Sequence, residues 1–253
     1  MALLKHPKLL DMKTGNIEHL LERWRARFWA RVDKQPWPRR KRVRLRVSLA
    51  DRSEIKAIRA HAENGHVEAQ KVMGLLFEEG VGVPRRPQQA FSFYSEAAKS
   101  GDPEAAHLLG ICYEYGVGVT AHPRAAIPLY RKAARGGIAA AHWSLGRCYH
   151  FEIGVKRDMT KAFNHFLSAA AAAFVPAFHA LGICYEEGYG VETDRKEAFR
   201  FYKAAAENGD VPAMYALARC YRDGIGVRAN ARRATSYAKR AARRGVPSDP
   251  YSF

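Results

Sequence analysis

A 36-residue period runs from residue 66 to residue 245 without insertion or deletion, and it constrains the fold more than any other feature of the sequence. Gly65, Gly101, Gly137, Gly209 and Gly245 stand on this grid, with Ala173 in the remaining place. Ala69, Ala105, Ala141, Ala177 and Ala213 form one column, and Met73, Leu109, Leu145, Leu181 and Leu217 another. Beside the latter run Gly74, Gly110, Gly146, Gly182 and Ala218. A Phe77/Tyr113/Tyr149/Tyr185/Tyr221 column follows, then a Gly-Val pair from Gly82-Val83 to Gly226-Val227. A fixed period of this length marks a repeat architecture, here of five full units.

Each unit reads as two helices. The first carries apolar residues at i, i+4, i+7 and i+8, as in Ala105, Leu109, Cys112 and Tyr113, the spacing of one helix face. Asp102 and Asp210 precede it as capping carboxylates, and the Gly-x-Gly-Val segment ends it because glycine accepts a positive φ. The second helix carries Ala126, Tyr130, Ala133 and Ala134 and stops at the next grid glycine. Two short helices cannot bury their apolar stripes alone, so the units must stack. Half a unit, a leading helix over residues 53–64, precedes the array. The organisation is thus an extension (1–52), the leading helix, units 66–101, 102–137, 138–173, 174–209 and 210–245, and a tail (246–253).

The pattern Ala-x3-Leu-Gly-x2-Tyr-x2-Gly-x-Gly-Val-x2-Asp-x3-Ala-x3-Tyr-x2-Ala-Ala-x2-Gly resembles the Sel-one-like repeats (SLR), relatives of the tetratricopeptide repeats. Leu181-Gly182, Tyr185, Gly188, Gly190-Val191, Asp194, Ala198, Tyr202, Ala205-Ala206 and Gly209 show it almost without departure. Elsewhere Glu152 replaces the first loop glycine, Ala238 the aromatic of the last helix, and His122 and Asn230 the aspartate. The resemblance implies an all-α, right-handed superhelical solenoid of helix-turn-helix repeats that binds other proteins, often as an adaptor in complex assembly, without catalysis. A beta-lactamase-like activity proposed for some members finds no nucleophile–base motif here.

The residues point away from chemistry. Cys112, Cys148, Cys184 and Cys220 share one column of the apolar stripe, where Leu76 stands in the first unit, so cysteine acts there as a small hydrophobe. Equivalent positions in stacked repeats lie roughly 9–10 Å apart, beyond the ~7 Å reach of a disulfide. No Cys-x2-Cys or His-Glu-x-x-His spacing offers a metal site. Each Gly-x-Gly is a repeat turn with no strand before it. Catalytic residues, metals and cofactors are all expected to be absent.

Partner binding should lie in columns that vary while the frame stays fixed. About half a turn from the core face of each first helix lie the columns starting at residues 71, 75 and 78. Lys71, His107, Trp143, His179 and Tyr215 make up the first, and His150 stands in the last among Glu78, Glu114, Glu186 and Arg222. Large rings beside charges on a concave surface suit a peptide or partner helix. The alternative is that the rings pack against adjacent repeats.

With 42 Lys and Arg against 25 Asp and Glu, the net charge is +17. Its distribution is uneven: residues 1–52 carry +10, residues 53–218 balance to zero, residues 219–245 carry +8, and Asp249 gives the tail −1. A nucleic acid running along the whole array is therefore disfavoured, and polyanions should meet the two ends. One basic anchor is Arg39, Arg40, Lys41, Arg42, Arg44 and Arg46, where basic and apolar residues alternate from Arg42 onward. The other is Arg232, Arg233, Arg240, Arg243 and Arg244. The first run is compatible with phosphate contacts, a nuclear import signal, strand pairing with a protein, an anionic lipid surface or a solvated tail. Trp24, Phe28, Trp29 and Trp37 argue against solvation alone and form an aromatic anchor, on the first helices or on a partner. The expected role is a scaffold or adaptor for one or more proteins in a multi-subunit complex. The alternative is an RNA-associated subunit of a ribonucleoprotein such as a ribosome. Without a ~20-residue apolar run or a signal-peptide core, a cytosolic or organelle-interior location is expected, mitochondrial matrix included, with nuclear import also open.

Overall fold

The computed structural model describes residues 17, 18, 20–22, 24 and 49–244. Among the described residues every regular element is a helix. Helical residues 17, 18, 20–22 and 24 form α1. The others are α2 (Leu49–Glu63), α3 (Val67–Glu79), α4 (Pro87–Lys99), α5 (Pro103–Tyr115), α6 (Pro123–Arg135), α7 (Ala139–Phe151), α8 (Met159–Ala171), α9 (Val175–Glu187), α10 (Arg195–Glu207), α11 (Val211–Asp223) and α12 (Ala231–Arg244). The leading helix begins at Leu49 rather than residue 53, since Leu49-Ala50-Asp51-Arg52 contains no Gly or Pro to stop it. Two compact units meet in sequence after Ala121.

In the first unit, α2 turns Ile55, Ile58 and Ala62 inward. Leu21 and Trp24 of α1 are also buried, and the Trp24 indole Nε1 donates to Glu54 Oε2 at 3.0 Å. α3 lies between α2 and α4. It is covered on all sides: every residue from Ala69 to Glu78 is buried. Here the one-sided stripe expected for first helices is corrected, because a neighbour on each flank covers both faces. The second helix α4 does keep a one-sided stripe, Ala90, Tyr94, Ala97 and Ala98.

The second unit repeats this scheme, each helix from α6 to α12 packing on the next. α7 is buried from Trp143 through His150, whereas α10 buries only Ala198, Tyr202, Ala205 and Ala206. Asp210 accepts from the Ala213 N–H at 2.6 Å, as Asp102 does from Ala105 in the first unit. First helices end on a left-handed residue, such as Gly188, whose N–H returns to the Cys184 carbonyl. Glu152 takes this role after α7 at φ 61°, and Ala173 sits at φ 56°; they are the only non-glycine residues with positive φ among those described. Both occupy columns where glycine is the rule, Ala173 on the grid and Glu152 at the first loop glycine.

Two close approaches lock the repeats. Within a repeat, the glycine column seats the aromatic of the second helix: a Cβ on Gly182 would lie 2.4 Å from Tyr202 Cε1, with equivalent clashes of Gly146 on Phe166 and Gly74 on Tyr94. Between repeats, the second loop glycine rides on the first turn of the preceding second helix. A Cβ on Gly226 would fall 1.9 Å from the Arg195 carbonyl oxygen.

Candidate partner-binding face

In the first unit Lys71 of the 71 column serves the fold. Lys71 is buried, and its ammonium meets Glu68 Oε1 at 2.5 Å, Glu104 Oε2 at 2.8 Å and Asp102 Oδ1 at 3.2 Å. Burial pulls its pKa down, but the hydrogen bonds and charges of Glu104 and Glu68 outweigh this and leave it raised. An ammonium has three donors, and three carboxylates take them, so Lys71 stands in an internal ion cluster. His107 is half-buried.

In the second unit Trp143, His150 and His179 are buried and Tyr215 is half-buried. Trp143 lies 5.9 Å from the Phe174 ring, carries the Arg147 guanidinium at 5.0 Å over its face, and has a buried Nε1 with no hydrogen-bond partner. The His179 ring sits 5.8 Å from Tyr202, and burial holds its pKa below the ordinary histidine value. Between α9 and α11 a cleft of about 150 Å³ opens, lined by His179, Ile183, Glu186, Tyr202, Tyr215 and Arg219. At its wall Glu186 Oε2 accepts from the Tyr202 hydroxyl at 2.7 Å and from Arg219 Nη2 at 2.5 Å.

The 78 column has an internal logic that the sequence reading missed. The Tyr94 hydroxyl donates to Glu78 Oε2 at 2.8 Å, the same bond as Tyr202 to Glu186. Where the ring is Phe166, with no hydroxyl to give, the carboxylate is replaced by His150. The His150 ring packs on Tyr189 and Phe151, and burial, then Arg157, lowers its pKa. His150 thus stands in the one repeat whose second-helix ring has no hydroxyl to offer a carboxylate. The only advance signal was that two columns 16 residues apart change together.

Stacked ring pairs, also missed, link first and second helices. Tyr185 lies on Phe201 at 5.5 Å, Tyr149 on His165 at 5.7 Å, and Tyr221 on Tyr237 at 5.9 Å. His142 Nδ1 faces His165 Nδ1 at 3.1 Å. Burial, then the charges of His142 and Arg131, pushes His165 down to about 4. All four cysteines are free and buried, and burial pushes the Cys184 and Cys220 thiols up to about 12, leaving them inert thiols. Among the described residues no group of three or more His, Cys, Asp or Glu side chains could hold a metal ion.

At the C-terminal anchor, Arg232, Arg233, Arg240, Arg243 and Arg244 are all exposed on α12. Of the aromatic anchor, Trp24 is buried by its own chain, against α2 through Glu54, the first of the two placements open to these rings. Phe28, Trp29, Trp37, Arg39, Arg40, Lys41, Arg42, Arg44 and Arg46 lie outside the described residues. Among the described residues no helix is long and apolar enough to cross a membrane.

Helix pairs that repeat every 36 residues and lock through glycine contacts define an all-α helical-repeat solenoid. The Sel1 repeat model matches residues 67–102, 103–138, 139–174, 177–210 and 211–246. The chain belongs to the Sel1 repeat family, whose members generally act as protein-interaction scaffolds. No curated protein matches it. Among solved structures it is similar to a Sel1 repeat protein from Oxalobacter formigenes, with 26% identity and a TM-score of 0.76 over 92% of this chain and 84% of that one. It is also similar to a protective antigen of uropathogenic Escherichia coli strains that displays an SLR fold, with 27% identity and a TM-score of 0.72 over 92% of this chain. The chain spans 50% of that antigen's length. An immunity protein from Pseudomonas aeruginosa shares the fold at 17% identity, with a TM-score of 0.57 over 96% of this chain and 90% of that one.

Proposed function

We propose that the chain is a non-enzymatic scaffold that holds a protein partner along the first helices of its second unit and is anchored to a larger assembly through its basic ends. The contact row is Trp143, His179 and Tyr215, with Arg147, Ile183 and Arg219 beside it. One observation carries the reading: the cleft between α9 and α11, where a half-buried tyrosine, an apolar Ile183 floor and the Arg219–Glu186 pair converge. Rings and arginine in a partly desolvated recess are the side chains that dominate binding hot spots. Lys71 and His150 drop out of the row because internal partners account for them, and His107 remains a candidate contact in the first unit.

The test is site-specific. A photo-crosslinker placed at position 215 should trap a protein partner in cells, and Arg219→Ala should remove that adduct while leaving the helical signal and melting temperature near those of the parent. An adduct of the same partner in undiminished yield from the Arg219→Ala protein would remove the cleft from the proposal. A second reading, association with RNA, is favoured by the exposed arginine face of α12, which is argued next.

A further inference from the structure

We propose that α12 binds the phosphate backbone of a double-stranded nucleic acid without reading its bases. The inference rests on the basic-end anchoring proposed above and supplies the class of partner for that end. The helix reads ARRATSYAKRAARR, and of its residues only Ala241 is buried. At 100° per residue, its cations fall into two parallel rows on one side: Arg232, Lys239 and Arg243, and beside them Arg233, Arg240 and Arg244. All six side chains are exposed. No Asp or Glu occurs between residues 224 and 248 to neutralise them.

The two rows differ in how they are held. Arg233 donates through Nη1 to the Tyr221 hydroxyl at 3.1 Å and lies 5.4 Å over that ring. Arg240 lies 5.2 Å over Tyr237, which itself stacks on Tyr221. Arg244 Nη1 reaches the Gly209 carbonyl at 3.4 Å. Contacts on ring faces and a carbonyl place these three guanidiniums while leaving each charge uncancelled and open to solvent. Arg232, Lys239 and Arg243 form the free row.

The chemistry of the face chooses among polyanions. A lipid surface is bound by a helix that buries large apolar side chains beside its cations, and here the residues opposite the cations are alanines and a tyrosine already stacked on Tyr221. A protein interface of this size needs apolar or aromatic anchors at its centre, and only Ser236 lies between the two rows. Nor does α12 carry an exposed ring on which an unpaired base would stack. What remains is charge in two rows over roughly 18 Å of helix, which suits backbone phosphates and carries no sequence information.

The test uses the full chain, with its N-terminal basic run present throughout so that any difference belongs to α12. Binding of a fluorescent RNA duplex of about 20 base pairs, and of the matching DNA duplex, is followed by anisotropy as salt rises from about 50 to about 200 mM; six phosphate contacts predict a log–log slope of about −5 and a loss of about 1,000-fold over that range. Arg232→Glu/Lys239→Glu/Arg243→Glu should weaken binding at least about tenfold and flatten the slope by about 3, since each contact carries about 0.9 of it. The alanine triple should move both in the same direction by less. These exposed side chains have no packing role, so unchanged helicity and melting are expected and are measured alongside. Equal affinity and slope for parent and both triples would overturn the proposal. Displacement of the duplex by polyglutamate at matched charge, or stronger binding to phosphatidylserine vesicles that the triple abolishes, would also overturn it while leaving the anchoring role of this end standing. If the triples change binding to none of these polyanions, both fall.

Discussion

Replacing Gly182 by alanine sets two forces against each other at one atom. In an isolated helix the change is favourable by about 1 kcal/mol. Here the new Cβ would lie 2.4 Å from Cε1, 2.5 Å from Cδ1 and 3.0 Å from Cζ of Tyr202, where carbon atoms rest at about 3.5–4.0 Å. The ring cannot simply tilt away. It is 1% exposed, and its hydroxyl is fixed to Glu186 Oε2 at 2.7 Å. Overpacking of this kind costs about 1–3 kcal/mol, and loss of a hydrogen bond to a charged acceptor about 1.5–3 kcal/mol. Less the propensity gain, Gly182→Ala should destabilise by about 1.5–5 kcal/mol.

The sign of the effect is the sharper test. In a Tyr202→Ala background the obstructing ring is gone, so Gly182→Ala should there stabilise by about 1 kcal/mol. The four chains make a double-mutant cycle whose coupling energy reports the contact itself. Urea unfolding followed by circular dichroism measures it, provided tryptophan fluorescence gives a coincident transition, because repeat arrays can unfold in pieces. A Gly182→Ala chain as stable as the parent would show that the glycine column does not seat the ring, and the account of how each repeat is locked would fail.

Two further outcomes follow from local geometry. Glu152 sits at φ 61°, where an L-residue is strained by about 1–2 kcal/mol; Glu152→Gly should therefore raise stability by about 0.5–1 kcal/mol after the entropy of the unfolded glycine is allowed for, and a fall in melting temperature would mean that its side chain holds the turn. His165, held at about 4 by burial and by the charges of His142 and Arg131, with His142 and His179 also held low by burial, binds its proton in the unfolded chain at about pH 6.5 but in the folded one only near 4. Stability is thus complete above about pH 6.5 and is lost as the pH falls from there toward 4; the urea midpoint should drop between neutral pH and pH 5, less so in His165→Asn, and a midpoint that rises on acidification would refute the buried neutral imidazoles.

The period alone made the helix pairs, their caps and the buried cysteines legible, because those depend on residues close in sequence. Asp102, Asp210 and the loop glycines signal their roles by type and position. Burial of the face opposite the core stripe was not legible. Helical periodicity reports which side of a helix is apolar, but Trp143 and His179 are covered by helices whose approach no single repeat encodes. The Lys71 cluster was hidden for the same reason: Asp102 and Glu104 come from the next repeat, more than 30 residues on. Trp24 could be read only as a ring wanting burial, and its acceptor, Glu54, had no sequence signal.

Read in pairs, the columns separate residues that vary with a packing partner from residues that vary on their own. Glu78 and Glu186 accompany Tyr94 and Tyr202, to which they are hydrogen-bonded; His150 accompanies Phe166. In the last repeat the ring becomes Ala238, the carboxylate becomes Arg222 and the seating glycine becomes Ala218, three changes that the loss of one ring explains together. Variation of this kind conserves an internal fit and leaves no reason to invoke a ligand. The 71 column behaves otherwise. Only Lys71 is explained by neighbours that neutralise it, whereas Trp143 leaves its indole N–H unmet and Tyr215 stays half-open at a cleft. The binding face proposed above thus narrows from three variable columns to one row in the second unit, and Tyr215, half-open at the cleft, carries the ring whose resonances should move when a partner is added.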